Sequence, residues 1–88
     1  MLIEKKLVIK NEQGLHARPA ALFVQIANKY ESDILVRKGK QEVNGKSIMG
    51  LMTLAAEKNS SIILKVEGPD AEEAMKELEA LLNSEKTI

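Results

Sequence analysis

The sequence predicts an α+β protein, a two-layer open-faced β-sandwich in which three helices cover one face of a four-stranded, mostly antiparallel sheet. Segments with strand-like alternation and segments with helical spacing follow one another in the order βαββαβα. Each predicted strand carries apolar residues on one face only, so that face needs cover from helices while the other meets water. With 88 residues, of which 44% are hydrophobic, we expect a single domain over residues 1–88.

The N-terminal third contains a strand and a helix. Residues 2–9 alternate in polarity and predict the strand, and the polar residues 11–14 predict a loop. The helix is expected to begin near His16 or Ala17, because Pro19 then lies in the first turn, where its missing N–H costs nothing. An apolar stripe continues this helix and consists of Pro19, Leu22, Phe23, Ile26, Ala27 and Tyr30.

The next two strands are expected to form a hairpin. Residues 33–38 predict a strand with one apolar face, and Gly39 supplies a turn. Residues 41–44 are short and polar, which favours a strand at the edge of the sheet. The Asn44-Gly45 dipeptide is a turn signal and ends this strand.

A second helix is predicted over residues 47–58, with Ser47 as the N-cap because it follows a turn and precedes apolar periodicity. Its apolar residues cover roughly 220° of the helix surface, more than the arc of about 100° that a surface helix buries. We therefore expect some of Ile48, Met49 and Met52 to face solvent and to form an adaptable apolar surface. The alternative is a short helix that is buried more deeply than most.

The C-terminal part predicts a strand over residues 61–67, which Gly68 and Pro69 end. Asp70 and Glu73 fit the N-cap and N3 positions of a capping box at the start of a last helix. The core stripe of this helix consists of Ala71, Ala74, Met75, Leu78, Leu81 and Leu82.

Composition excludes several classes of function. Thirteen basic and thirteen acidic residues leave no excess charge for binding a nucleic-acid backbone. Without cysteine there is no disulfide framework or thiolate nucleophile, and one histidine is too few for a His-built metal site. The N-terminal apolar run contains charges, and no run approaches the roughly 18 apolar residues of a membrane span. We expect a cytoplasmic protein with no cofactor, no metal and no membrane insertion.

His16 is the main candidate for chemistry. At the start of a helix the first backbone N–H groups are unpaired and the helix dipole is positive, so an anion is favoured and a neutral imidazole is expected. Arg18 lies two residues further on and has a guanidinium suited to phosphate oxygens. These groups together can accept a phosphoryl group on the ring. The alternative, that His16 is only a polar residue at a helix start, stays open at this point.

Ser47 is the second candidate. A capping role is sufficient to explain a serine at this position. The alternative is phosphorylation, because a phosphate dianion is well tolerated at a helix N-terminus.

Two longer motifs carry a family resemblance. GLHARPAALFVQIANKY around His16 and VNGKSIMGLMTLAA around Ser47 resemble the histidine-containing phosphocarrier protein (HPr) family of the bacterial phosphoenolpyruvate-dependent sugar phosphotransferase system. The similarity covers essentially the whole chain, and it implies the same open-faced sandwich.

The resemblance implies that phospho-enzyme I phosphorylates His16 on Nδ1, that enzyme IIA domains of sugar permeases receive the phosphate, and that Arg18 is the active-site arginine. The protein would be a carrier with a phosphohistidine intermediate rather than an autonomous enzyme. Ser47 would be the target of an HPr kinase/phosphorylase, and the serine-phosphorylated form would be the corepressor of a catabolite control transcription factor.

A paralogue that acts in catabolite repression is similar around ARPAALFVQ and KSIMGLM but has Gln in place of His16, so the histidine favours the carrier. The sequence after Ser47 resembles the Gram-positive type, which favours regulation at the serine. A regulatory module that acts only through Ser47 is the alternative function. We expect a monomer, with partners docking on a surface beside His16 that consists of Ala17, Ala20, Ala21, Ile48, Met49 and Met52.

Overall fold

A computed structural model describes residues 1–84 of the chain. Its elements, in order, are β1 (Leu2–Val8), α1 (Ala17–Ala27), β2 (Asp33–Lys38), β3 (Gln41–Asn44), α2 (Ile48–Leu54), β4 (Ser61–Glu67) and α3 (Ala71–Asn83). The predicted order βαββαβα is confirmed.

The four strands form one antiparallel sheet in the order β1-β4-β2-β3. β4 pairs with β1 on one side and with β2 on the other. β2 and β3 form a hairpin that turns at Gly39, whose φ of +61° lies in the left-handed region that glycine accepts without strain. β1 and β3 are therefore the two edges of the sheet.

The core lies between the sheet and the helices. Alternate strand residues such as Ile34, Leu64 and Val66 point toward the helices and are buried, while their neighbours along the strands face solvent. α3 packs on β1, β4 and α1, and α2 packs on β3 and β2. This is the predicted open-faced sandwich, with helices on one face of the sheet only.

α2 is shorter than predicted. The expected helix ran to residue 58, but α2 ends at Leu54 because Ala55 adopts a left-handed conformation with φ +52°. The Ala55 N–H bonds to the Met52 carbonyl at 3.2 Å and closes the helix. This ending turns Ala56 into the core, where it is fully buried.

The predicted capping box at the start of α3 is wrong. Asp70 occupies the N-cap position, but its side chain makes no capping hydrogen bond. Its carboxylate instead accepts hydrogen bonds from Glu31 N at 2.9 Å, from Ser32 N at 3.0 Å and from Ser32 Oγ at 2.6 Å. Asp70 thus ties the start of α3 to the turn that precedes β2.

Candidate functional site

The loop that leads to His16 is fixed by a hydrogen bond within the loop and by contacts with the segment that follows α2. Asn11 is buried, and its Oδ1 accepts a hydrogen bond from Gln13 N at 2.9 Å. Leu15 is fully buried, and its N–H donates to the Ala56 carbonyl at 2.8 Å. Gly14 has φ +65°, and a Cβ there would lie 2.4 Å from the Ala56 oxygen, so only glycine fits. The residue before His16 is therefore anchored to the segment that follows α2.

His16 is the N-cap residue of α1, as predicted, and it is half-buried. Its side chain makes no capping hydrogen bond, which leaves the imidazole available. Pro19 has no N–H, and the Ala20 N–H contacts the His16 carbonyl at 3.5 Å. Within residues 1–84 the N–H groups of Ala17 and Arg18 find no acceptor, so two unpaired donors remain at the positive end of the helix dipole.

Two further features mark the start of α1. Ala17 has φ +40°, a left-handed conformation that costs energy for a residue with a side chain. Arg18 is exposed and forms no ion pair with any residue in the described part of the chain. Its guanidinium is therefore free to bind an anion that approaches the N-terminus of α1.

An exposed apolar patch on α2, which we call the α2 patch, consists of Ile48, Met49 and Met52. Their side chains are 40%, 72% and 42% exposed, so the expectation that this side of the helix faces solvent is confirmed. Because α1 packs against α2, the patch lies on the helix that neighbours the one His16 begins.

The three alanines of the expected docking surface differ in exposure. Ala17 is exposed and Ala21 is half-buried, so both can be reached by a partner. Ala20 is fully buried and cannot contact a partner, so the expectation that it belongs to the docking surface is wrong. Its Cβ points inward because α1 turns the face that contains Ala20, Phe23 and Ala27 toward the core.

Ser47 is the N-cap of α2, as predicted, and its Oγ accepts a hydrogen bond from Gly50 N at 3.0 Å. A Cβ at Gly50 would lie 3.2 Å from the Val43 Cβ, so the small residue lets the first turn of α2 approach β3. As an acceptor in this bond, the Ser47 hydroxyl keeps its own hydrogen available for a base.

Lys46 holds the turn before Ser47, a role that sequence reasoning missed. Its N–H donates to Asn44 Oδ1 at 2.8 Å, and its ammonium donates to the Tyr30 carbonyl at 2.7 Å. The second contact joins this turn to the segment that follows α1, 16 residues away in the chain. No local pattern signals such a partner, because a lysine beside a turn is ordinarily solvated.

The structure places His16 and Ser47 near opposite ends of α2. Ser47 begins this helix, while the Leu15–Ala56 hydrogen bond joins the residue before His16 to the segment just after its end. Seven residues of α helix span about 10 Å, and the α2 patch lies between the two ends. The two candidate phosphorylation residues are thus separate sites near opposite ends of the helix that contains the α2 patch.

Two groups with shifted pKa values, Tyr30 and Glu77, interact beyond the other end of α1. A hydrogen bond to Glu77 raises the pKa of Tyr30 to about 12. The Lys29 ammonium, 2.6 Å from Glu77, holds the pKa of the Glu77 carboxyl below its ordinary value. This network joins the end of α1 to α3 and takes no part in the surroundings of His16.

Metal-binding geometry is not found in the structure: no three His, Asp or Glu side chains come together within residues 1–84. In the same part of the chain, no helix combines the length and the apolar character that crossing a membrane requires.

Comparison with known proteins assigns the chain and its fold to a family. A family model described as the PTS HPr component phosphorylation site matches residues 3–84. The HPr-like protein Crh of Halalkalibacterium halodurans is 50% identical over 96% of this chain and 100% of its own length. The phosphocarrier protein HPr of Neisseria meningitidis serogroup A is 45% identical over 93% of this chain and 92% of its own. The crystal structure of HPr-C-His from Thermoanaerobacter tengcongensis superposes with a TM-score of 0.90 at 51% identity, covering 94% of this chain and 93% of that one.

The open-faced sandwich and the matched family model together define a domain of the HPr type. The chain belongs to the HPr family, which includes phosphocarriers and Crh proteins. The expected family and fold are confirmed, and the phosphocarrier role is supported at the level of the family.

Proposed function

We propose that this chain is a phosphoryl carrier of the phosphoenolpyruvate-dependent sugar phosphotransferase system. It accepts a phosphoryl group on His16 from phospho-enzyme I in the cytoplasm and passes it to the enzyme IIA domains of sugar permeases. The observation that carries this proposal is the uncapped, half-buried imidazole at the N-terminus of α1, beside two unpaired backbone N–H groups.

The geometry suits a reversible transfer. His16 Nδ1 attacks phosphorus, the bond between phosphorus and the donor breaks, and the donor keeps the electron pair. The phosphoryl oxygens then receive hydrogen bonds from the N–H groups of Ala17 and Arg18 and the charge of the Arg18 guanidinium. Because these donors are few and lie at the surface, the phosphate is held weakly enough for the next acceptor to break the N–P bond.

Docking of both partners uses the α2 patch together with Ala17 and Ala21. Two methionines give this surface flexible side chains that adapt to partners of different shape. A carrier that meets its donor and its acceptors in turn needs one such shared surface, because His16 is presented on one side of the molecule only.

Ser47 is the regulatory site of the carrier. An HPr kinase/phosphorylase phosphorylates its hydroxyl, and the phosphate dianion remains at the N-terminus of α2, where the helix dipole favours it. The added charge borders the α2 patch and opposes its desolvation, so docking of enzyme I weakens. The serine-phosphorylated form instead binds a catabolite control transcription factor as corepressor.

The second candidate is a regulatory module that acts only through phosphorylated Ser47. The similarity to Crh proteins favours this reading. His16 favours the carrier, since a module that acts only through Ser47 has no need of an uncapped histidine at this position. Transfer kinetics with enzyme I separate the two functions.

The test is phosphate uptake measured by mass spectrometry after mixing with phosphoenolpyruvate, enzyme I and magnesium. We expect the unmodified chain to gain one acid-labile phosphate and His16→Ala to gain none, with an unchanged circular dichroism spectrum. Ser47→Ala is the matched control and keeps the acid-labile phosphate. Acid-labile phosphate on His16→Ala contradicts the proposal, and its absence from the unmodified chain favours the second candidate.

A further inference from the structure

A second group of exposed apolar side chains lies away from the α2 patch. Met1, Leu2 and Val8 are 69%, 52% and 37% exposed, and all three lie in or beside β1. β1 is an edge strand, and α2 packs at the opposite edge of the sheet. The docking surface proposed above therefore does not account for these residues.

The backbone of β1 has a free row of hydrogen-bonding groups. Met1 and Gly68 exchange both of their N–H···O bonds, at 2.9 and 3.4 Å, and the Ile9 N–H donates to the Ser60 carbonyl at 3.0 Å. In an antiparallel pair such residues alternate with residues whose backbone groups point away from the partner. The outward-pointing residues of β1 are Leu2, Glu4, Lys6 and Val8. No strand among residues 1–84 pairs with them.

The sequence of β1 is self-complementary about Lys5. When two copies of the strand are laid antiparallel with Lys5 opposite Lys5, Leu2 faces Val8 of the second copy and Glu4 faces Lys6 of the second copy. This register pairs outward-pointing residues with one another, so the free N–H and C=O groups of both copies are satisfied. It also places the exposed Leu2 and Val8 side by side on the open face of the sheet.

The charges agree with this register. Within the described residues neither Glu4 nor Lys6 forms an ion pair. The two Lys5 side chains meet at the twofold axis, but they lie on the helix side of the sheet, where each ammonium is bound to Glu79 at 2.9 Å. Among directly opposite residues, the pairing thus gains two opposite-charge contacts, and the like-charge pair Lys5 with Lys5 is already neutralised by Glu79.

We propose that β1 pairs antiparallel with β1 of a second copy of this chain and joins the two sheets into one of eight strands. Each β1 stays on its own β4, so no strand is exchanged between the copies. The sequence alone led us to expect a monomer, and the association is weak because one strand pair buries less than the roughly 1,200 Å² of a stable interface. Since α2 packs at the other edge of the sheet, the dimer leaves the α2 patch open.

Sedimentation equilibrium of the full chain, from about 10 μM to about 1 mM, measures the association. We expect Glu4→Lys and Lys6→Glu each to raise the dissociation constant roughly tenfold, because either change makes both cross-copy pairs repulsive. The double variant Glu4→Lys/Lys6→Glu restores the pairs and returns the constant to within about threefold of the original. Glu42→Lys, a charge reversal on the opposite edge strand, is the control and leaves it unchanged.

Amide hydrogen exchange on the unmodified chain identifies the surface without any substitution. We expect exchange at Glu4 and Lys6 to slow as the concentration rises, while exchange at Lys5, whose N–H points to β4, changes little. A chain that stays monomeric at about 1 mM overturns the proposal. A dimer in which hydrogen exchange at Glu4 and Lys6 does not slow also overturns it, because that result indicates strand exchange or association through another surface. Failure of the double variant to restore association also overturns it.

Discussion

The Leu15 N–H donates to the Ala56 carbonyl at 2.8 Å, and this hydrogen bond joins the loop before His16 to the segment after α2. The two residues are both fully buried, so the contact is shielded from water. It fixes the distance between the N-terminus of α1 and the end of α2. This backbone hydrogen bond, together with the packing of α1 against α2, therefore holds the start of α1 beside the helix that contains the α2 patch.

Gly14→Ala tests the importance of this anchor. The new Cβ would lie 2.4 Å from the Ala56 oxygen at a φ of +65°, so we expect a loss of about 3 kcal/mol of unfolding free energy. Gly39→Ala is the matched control: its φ is +61°, but a Cβ there meets nothing within 4 Å. We expect Gly39→Ala to lower the free energy of unfolding by only about 1 kcal/mol. Equal losses in urea unfolding would show that the contact with Ala56 is unimportant.

Substitutions of Ser47 separate its capping role from its regulatory role. Ser47→Ala removes the acceptor for Gly50 N, and we expect unfolding to become easier by about 1 kcal/mol. Ser47→Asp keeps an acceptor and adds a negative charge, so its stability stays within about 0.5 kcal/mol of the unmodified chain.

The two variants are also expected to differ in binding. Ser47→Asp weakens the affinity for enzyme I, measured by titration calorimetry, because the charge borders the α2 patch, whereas Ser47→Ala leaves this affinity unchanged. Equal affinities of the aspartate and alanine variants for enzyme I would contradict a regulatory effect of charge at this position.

Met49→Glu tests the docking surface. Met49 is 72% exposed, so the substitution costs little stability, but it places a charge within the proposed contact. We expect phosphoryl transfer from enzyme I and to enzyme IIA to slow roughly tenfold each in rapid-quench experiments. Ala80→Glu adds the same charge at an exposed position of α3 and is the control. Unchanged rates with both partners would remove the α2 patch from the docking surface.

Local sequence signals predicted the element order and the helix starts at His16 and Ser47 well. Pro19 placed the start of α1 at His16, and the turn before Ser47 placed the start of α2, because helix starts depend on residues within one turn. The end of α2 was missed because Ala55 takes a left-handed conformation that neither a glycine nor a proline announces.

Long-range contacts explain the other differences. Which face of α1 is buried depends on how it packs on the sheet and on α2, so the burial of Ala20 could not be read from spacing alone. The partners of Lys46 and Asp70 lie 16 and 38 residues away in the chain. Both residues stand where a local role is the simplest expectation, and only the folded chain brings their partners close.

The contact between Asp70 and Ser32 predicts a pH dependence of stability. The Ser32 hydroxyl and the Glu31 N–H hold the pKa of the Asp70 carboxyl below its ordinary value of 3.8. A carboxyl whose pKa is lower in the folded than in the unfolded chain stabilises the fold at pH values above the unfolded pKa. This contribution is lost as the pH falls through the folded pKa, because both states are then protonated.

We therefore expect Asp70→Asn to be less stable than the unmodified chain at pH 7, with a difference that shrinks as the pH falls below about 4. Urea unfolding followed by circular dichroism from neutral to acidic pH measures it. Asp33→Asn removes an exposed carboxylate from β2 and controls for the loss of one charge. In Ser32→Ala, Asp70 loses its hydroxyl donor, so adding Asp70→Asn to that variant costs less than adding it to the unmodified chain. A stability difference that is the same at pH 7 and at low pH would mean that the Asp70 carboxylate does not hold the turn before β2 to α3 through its charge.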